Sequence, residues 1–242
     1  MLPRFLAEAI DPVARLATLG PDEARHLAIV LRLGHGDEIA VFDGAGREYR
    51  GRITHISKAA ARIEILEEIA AAPESEVRLT LAQSVLKGTH MDAVVRDATM
   101  MGAVAIEPIV TAHTIARSGA GQERWRRIAI ASAKQSRRAV VPAIGAGSSI
   151  DAWIARDTGE RKLMLLEPTA SAEGHTPAVL QGGARPASAT LLVGPEGGWA
   201  PAEVAAALAS GYVPITLGRR TFRADAVAAI ALGILQFVWG DL

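Results

Sequence analysis

Thr190-Leu191-Leu192-Val193-Gly194-Pro195-Glu196-Gly197-Gly198-Trp199-Ala200-Pro201 holds the reading that decides the fold. A short apolar run enters a glycine-rich turn, and Pro201 stands where a helix would begin, a position that suits proline because its missing N–H is not needed there. The spacing predicts a buried strand that feeds a helix through a tight loop. The same alternation extends outward in both directions. Strands are expected over Val77–Leu86, Val104–Val110, Lys162–Leu166, Thr190–Val193 and Tyr212–Leu217, with helices over Thr89–Met101, Glu123–Arg138, Pro201–Ser210 and Ala224–Trp239. Apolar strands alternating with helical stretches give an α/β domain with a largely parallel sheet covered by helices.

Upstream the period changes. Glu38-Ile39-Ala40-Val41-Phe42 runs into Asp43-Gly44-Ala45-Gly46, and Glu48-Tyr49-Arg50-Gly51-Arg52-Ile53 follows. Asp-Gly between such runs signals a hairpin. Ala61-Arg62-Ile63-Glu64-Ile65-Leu66 alternates as a half-buried strand does. These runs predict a small β-barrel domain over residues 1–70. Ala70-Ala71-Ala72-Pro73-Glu74-Ser75-Glu76 breaks both periodicities and reads as a linker to a second domain over 75–242.

With 242 residues, half of them hydrophobic, the chain can bury a large core. The absence of cysteine excludes disulfides, thiolate zinc sites and a cysteine nucleophile. The opening residues show no basic segment ahead of an apolar core, and no apolar run reaches the roughly 18 residues of a spanning helix, so a cytoplasmic protein is expected. Lys plus Arg equals Asp plus Glu at 26 each. Composition alone therefore argues against a nonspecific polyanion binder. Between Arg117 and Arg138, however, seven cations face the single acid Glu123.

Three features carry chemistry. In open α/β sheets, ligands sit beyond the carboxyl ends of strands, which is where Gly194-Pro195-Glu196-Gly197-Gly198 falls. Its glycines let backbone approach a ligand closely; a turn that needs glycine for geometry alone would look similar. Glu196 would repel a phosphate, and neither G-x-x-x-x-G-K-[ST] nor G-x-G-x-x-G occurs, so a nucleoside triphosphate is not expected. The six histidines lack metal-ligand spacing, and no metal is expected. Leu217-Gly218-Arg219-Arg220-Thr221-Phe222-Arg223-Ala224-Asp225 forms a second loop at a strand end, where Arg223 can meet a substrate or Asp225 can simply cap a helix. Third, Arg124, Arg127, Lys134 and Arg138 recur at helical spacing, and a one-signed face suits a phosphate backbone. RNA or DNA is the favoured partner.

Leu-x-Gly-Pro-Glu-Gly-Gly, Leu-Gly-x-Arg-x-x-Arg and the ending Gln236-Phe237-Val238-Trp239-Gly240-Asp241-Leu242 together resemble the ribosomal RNA small-subunit methyltransferase E family of knotted SPOUT methyltransferases. The resemblance extends to Pro3-Arg4-Phe5, to His26 with Val30-Leu31-Arg32, to Phe42-Asp43-Gly44 and to Lys134-Gln135-Ser136-Arg137-Arg138, and so spans the chain. It implies a PUA-like β-barrel RNA-binding domain followed by a trefoil-knotted parallel sheet. It also implies a homodimer that uses S-adenosyl-L-methionine to methylate N3 of a uridine in small-subunit rRNA. Under that resemblance Arg223 and Glu196 are catalytic. Leu166, Glu167, Gly194, Pro195, Glu196, Gly197, Gly198, Leu217, Gly218, Arg223 and Ala224 hold the cofactor, and Arg4, Arg32, Arg124, Arg127, Lys134, Arg137 and Arg138 meet the RNA.

The chain departs from the family where Arg-Thr-Glu-Thr becomes Arg223-Ala224-Asp225-Ala226, and where Thr-Glu-Leu-Gly becomes Thr99-Met100-Met101-Gly102. The alternative expectation is an RNA-binding protein of the same fold whose site has decayed or turned to another rRNA position or to tRNA.

Overall fold

The computed structural model describes residues 2–114, 121–168, 184–239 and 242. The chain divides into two compact units, Met1–Glu74 with Ile130–Val141, and Ser75–Ala129 with Pro142–Leu242.

In the first unit, β1 (Arg4–Leu6), β2 (Ala9–Asp11), β3 (Leu16–Leu19), β4 (Glu38–Phe42), β5 (Glu48–Ile56) and β6 (Ala61–Ile69) form a curled six-stranded sheet, a half-barrel. Its order is β1-β4-β5-β6-β3-β2, and every pairing is antiparallel except β1 with β4. Alternation sends Ala61, Ile63 and Ile65 inward from β6 against Phe5, Leu19, Leu27, Ile39 and Ile53. Gly51 sits at a register shift of β5, where a Cβ would fall 2.5 Å from Ile63 Cγ2. The Asp43-Gly44 turn forms as expected: Gly44 adopts φ 76°, and Asp43 Oδ1 accepts from the amides of Ala45 and Arg47 at 2.7 and 3.0 Å. A short helix, α1 (Pro21–Arg25), leads into a π-helical turn, His26–Val30, which buries Leu27 and leaves Ile29 and Val30 exposed.

The segment 130–141 belongs to this unit for a physical reason. Arg4 donates to both carboxylate oxygens of Glu48, at 2.7 and 2.9 Å, and to the carbonyls of Ala133, Lys134 and Arg138 at 3.1 Å. Lys134 Nζ lies 2.8 Å from Glu23 Oε2 and over the Phe5 ring, and Arg138 Nε donates to Glu74 at 3.0 Å. The one-signed helical face expected over 123–138 is thereby corrected. The helix ends at Ser136, Arg137 turns the chain at φ 66°, and Arg138 lies beyond it with a side chain only 7% exposed.

The second unit holds a parallel sheet: β7 (Arg78–Ser84), β8 (Ala105–Val110), β9 (Ala143–Ile144), β10 (Ser148–Ser149), β11 (Arg161–Leu165), β12 (Ser188–Val193) and β13 (Val213–Ile215). The order is β10-β8-β7-β12-β11-β13, with β9 also on β8, and all pairings are parallel. Strands of such a sheet are covered on both faces and read as unbroken apolar runs, as Ala189–Val193 does. On one face Ala82, Met164 and Leu192 pack against Ile150, Trp153 and Ile154 of α4 (Ile150–Arg156) and against Ala207 of α5 (Pro201–Ala209). Elsewhere α2 (His90–Met100) packs with α6 (Ala224–Trp239), whose buried residues Ala228, Ala231, Leu232, Leu235 and Trp239 form a stripe of helical period. The helix α3 (Gln122–Ser136) begins in this unit and passes its last residues to the other.

Candidate active site

Three neighbouring strands end together: β11 at Leu165, β12 at Val193 and β13 at Ile215. Described residues just beyond them, within 166–168, 194–199 and 217–227, line a cleft of about 590 Å³, within the range of small-molecule sites, roughly 300–1,000 Å³. Leu165, Leu166, Val193, Trp199, Leu217 and Phe222 make its apolar walls. The titratable side chains are Glu167, Glu196, His90, Arg220, Arg223 and Asp225, with the hydroxyl of Thr221 beside them.

The glycine loop is clamped from three sides. Trp199 Nε1 donates to the Leu165 carbonyl at 2.9 Å, which fixes the indole against Gly194; a Cβ there would come 2.9 Å from Trp199 Cε2. The buried Gln83 donates from Nε2 to the Gly194 carbonyl at 3.3 Å. His113 Nδ1 stands 3.0 and 3.2 Å from the carbonyls of Gly197 and Gly198. Glu203 completes the frame by accepting from Ala200 N at 2.9 Å and Ala112 N at 2.7 Å, which satisfies a free amide at the start of α5 and ties down the loop after β8. Gly198 turns at φ 70°, and a Cβ on it would lie 3.7 Å from Glu167 Oε1, so the two residues border one space.

Glu196 accepts from Lys87 N at 3.2 Å, and its Oε1 is 3.6 Å from His90 Nδ1. Arg223 donates from Nε and Nη2 to the two Asp225 oxygens at 3.0 and 2.8 Å. That bond, chiefly, holds the Asp225 carboxyl below the usual aspartate range. One end of the cavity wall thus carries two carboxylates, an imidazole and a guanidinium.

Of the residues expected at the cofactor, Leu166, Glu167, Gly194, Pro195, Glu196, Gly198, Leu217, Arg223 and Ala224 line this cavity. Gly197 and Gly218 do not. Gly197 backs onto His113, and Gly218 makes a turn at φ 70°. Sequence reasoning gave no role to His90 or Phe222 and took Arg220 only as one of the three arginines of its loop, which the cavity wall now includes; His90 carried no signal because its partners lie over a hundred residues away. Among the expected RNA contacts, Arg4, Lys134 and Arg138 are turned to the internal bonds described above. Arg124 pairs with Asp92 and Arg127 with Glu123 at 3.3 Å, both arginines remaining largely exposed. Arg32 and Arg137 are exposed, share the uncommon left-handed backbone (φ 57° and 66°), and have no ion-pair partner among the described residues. Arg117 lies outside the described residues. No group of three or more potential metal ligands occurs among the described residues.

Residues 73–236 match a family model described as an RNA methyltransferase domain, and residues 19–66 match an RNA methyltransferase PUA domain. A ribosomal RNA small subunit methyltransferase E from Synechocystis sp. is 32% identical over 216 residues, 89% of this chain and 71% of that protein. The chain belongs to the ribosomal RNA small subunit methyltransferase E family. A second member, from Mycobacterium bovis, is 29% identical over 95% of this chain and 89% of its own length. Among solved structures, the methyltransferase E of Neisseria gonorrhoeae, bound to S-adenosyl methionine, superposes with a TM-score of 0.86 at 30% identity, each chain fully covered. A methyltransferase from Legionella pneumophila shares the fold at a TM-score of 0.87 and 24% identity over 98% of each chain.

Proposed function

We propose that this member of the methyltransferase E family transfers methyl from S-adenosyl-L-methionine to N3 of a uridine in small-subunit rRNA. The carrying observation is the cavity at the ends of β11, β12 and β13, which combines apolar walls with the carboxylates Glu167 and Glu196. That donor set fits the cofactor. Leu165, Leu166, Leu217 and Phe222 suit a flat adenine, the carboxylates suit a cation, and the glycine backbone of 194–198 allows close approach. When bound, the cofactor supplies a methyl group made electrophilic by its sulfonium.

The chain's own residues do the rest. N3 lies on the pairing edge of uracil, so the base must be unpaired or flipped to reach the cavity. Arg223 stabilises the negative charge that develops on the uracil as N3–H is lost, the kind of electrostatic assistance that costs no reorganisation when pre-placed. Asp225 orients Arg223 through two parallel bonds. The clamped loop keeps the acceptor and methyl in line.

The RNA reading assigns phosphate contacts to Arg32, Arg137, Arg124 and Arg127, the exposed members of the cationic set, with residues 1–70 as the RNA-binding domain and 75–242 as the transferase. The trefoil knot that the family resemblance implies would be formed by the loops around the cavity. A homodimer through α6 is supported by Ile230, Phe237 and Val238, which are 38, 72 and 36% exposed on the side of the helix away from its buried stripe. No described helix is long and apolar enough to cross a membrane, and a protein that acts on rRNA belongs in the cytoplasm. Incubation with methyl-labelled S-adenosylmethionine and unmodified small-subunit rRNA, large-subunit rRNA or tRNA tests the reading: label enters the small-subunit RNA, and label in no RNA would refute it.

A further inference from the structure

His90 opens α2 and lines the cavity beside Glu196, Arg223 and Asp225. Its Nδ1 faces Glu196 Oε1 at 3.6 Å, and it is near enough to Asp225 to act on that carboxyl electrostatically. Its side chain is 44% exposed, open to an incoming base. Of the other titratable groups at this end, Asp225 has both oxygens on Arg223, and Glu196 accepts the Lys87 amide at Oε1, the oxygen that faces His90. Glu167 and Arg220 line the same cavity; a carboxylate is a weak base at neutral pH, and a guanidinium is no base at all.

We infer that His90 takes the N3 proton of the target uridine, with Glu196 as the positioning residue that holds its ring. This assignment rests on the uridine-N3 reading above. A carboxylate at Nδ1 selects the tautomer protonated there and leaves the Nε2 lone pair for the substrate. Separations at such pairs are commonly long before substrate binds and shorten in the complex. In the step, the N3–H proton moves to Nε2 while the N3 electron pair forms the bond to methyl carbon. The carbon–sulfur bond breaks with its pair staying on sulfur. Methyluridine, a neutral thioether and an imidazolium result, and the imidazolium returns its proton to water.

The test is single-turnover transfer to small-subunit rRNA by the wild type and by His90→Gln, at saturating cofactor, from about pH 5 to pH 9. The wild-type rate is expected to rise as imidazole loses its proton. In His90→Gln the rate falls about 10²–10⁴-fold and that rise disappears, while calorimetry finds S-adenosylmethionine affinity unchanged. His90→Ala recovers rate when imidazole is added, and the His90→Gln defect shrinks on RNA carrying 5-fluorouridine, whose N3–H is the stronger acid. A His90→Gln enzyme with the wild-type rate and pH profile, or one whose loss tracks lost cofactor affinity, overturns the assignment and leaves the uridine reading standing. A wild type that methylates no RNA overturns both.

Discussion

Arg223 and Asp225 lie two residues apart and form a closed ion pair at the mouth of α6, with the guanidinium 71% exposed and the carboxylate 18% exposed. Such a pair contributes little to stability in water, so its value is in aim. Replacing Arg223 by alanine is expected to slow methyl transfer about 10²–10³-fold with cofactor affinity little changed; equal losses in single-turnover rate and in calorimetric affinity would make Arg223 a cofactor ligand instead. The pair also fixes a pH dependence. Asp225 titrates below its ordinary 3.8 because Arg223 bonds its charged form. Its stabilisation is therefore complete above that ordinary value and is lost as pH falls through the depressed one. Carbon-detected NMR should find the Asp225 carboxyl titrating below an exposed aspartate, and Arg223→Ala should bring it back to the ordinary range. The sequence announced Arg223 because three arginines crowd a strand end. It could not announce His90, whose meaning comes from Glu196 and Asp225, placed beside it only by the parallel sheet.

At the scale of elements, the strand, glycine turn and proline of 190–201 were legible because each step is local chemistry: apolar residues, residues free to turn, then a ring that starts a helix. The boundaries of α6 follow from the sequence for the same reason. The clamps that hold the turn were not legible, since Gln83 and His113 act from other strands' ends. Nor were α4, β9 and β10, two to seven residues long and too short for a period to show. The clamp gives a direct prediction. Gly194→Ala drives a Cβ into the Trp199 ring and should displace the indole from Leu165, lowering cofactor affinity at least tenfold while far-UV circular dichroism stays native. Trp199→Phe keeps the apolar wall and loses one hydrogen bond, a cost of about 1 kcal/mol to stability. If Gly194→Ala binds S-adenosylmethionine as the wild type does, the loop is a plain turn.

For the molecule as a whole, cationic side chains divide into two kinds that a sequence pattern cannot separate. Arg4 is 9% exposed and bonded to Glu48 and three carbonyls; removing one partner of a buried pair leaves the other charge stranded, so Arg4→Ala should cost about 3–5 kcal/mol in denaturant unfolding. Arg32 and Arg137, by contrast, should be neutral to stability. Their joint replacement by alanine is expected to weaken RNA binding and to flatten its logarithmic salt dependence by about 1.4, two contacts at roughly 0.7 each for single strands. An unchanged slope would remove them from the RNA face. The proposed homodimer is tested separately: Phe237→Asp places a charge in the exposed stripe of α6 and should halve the mass seen by sedimentation. All of these effects serve one reaction, and the identity of its product tests that reaction most directly. Small-subunit rRNA labelled from methyl-labelled S-adenosylmethionine by this protein, digested to nucleosides and separated, should carry its label in 3-methyluridine; label in any other nucleoside would contradict the account.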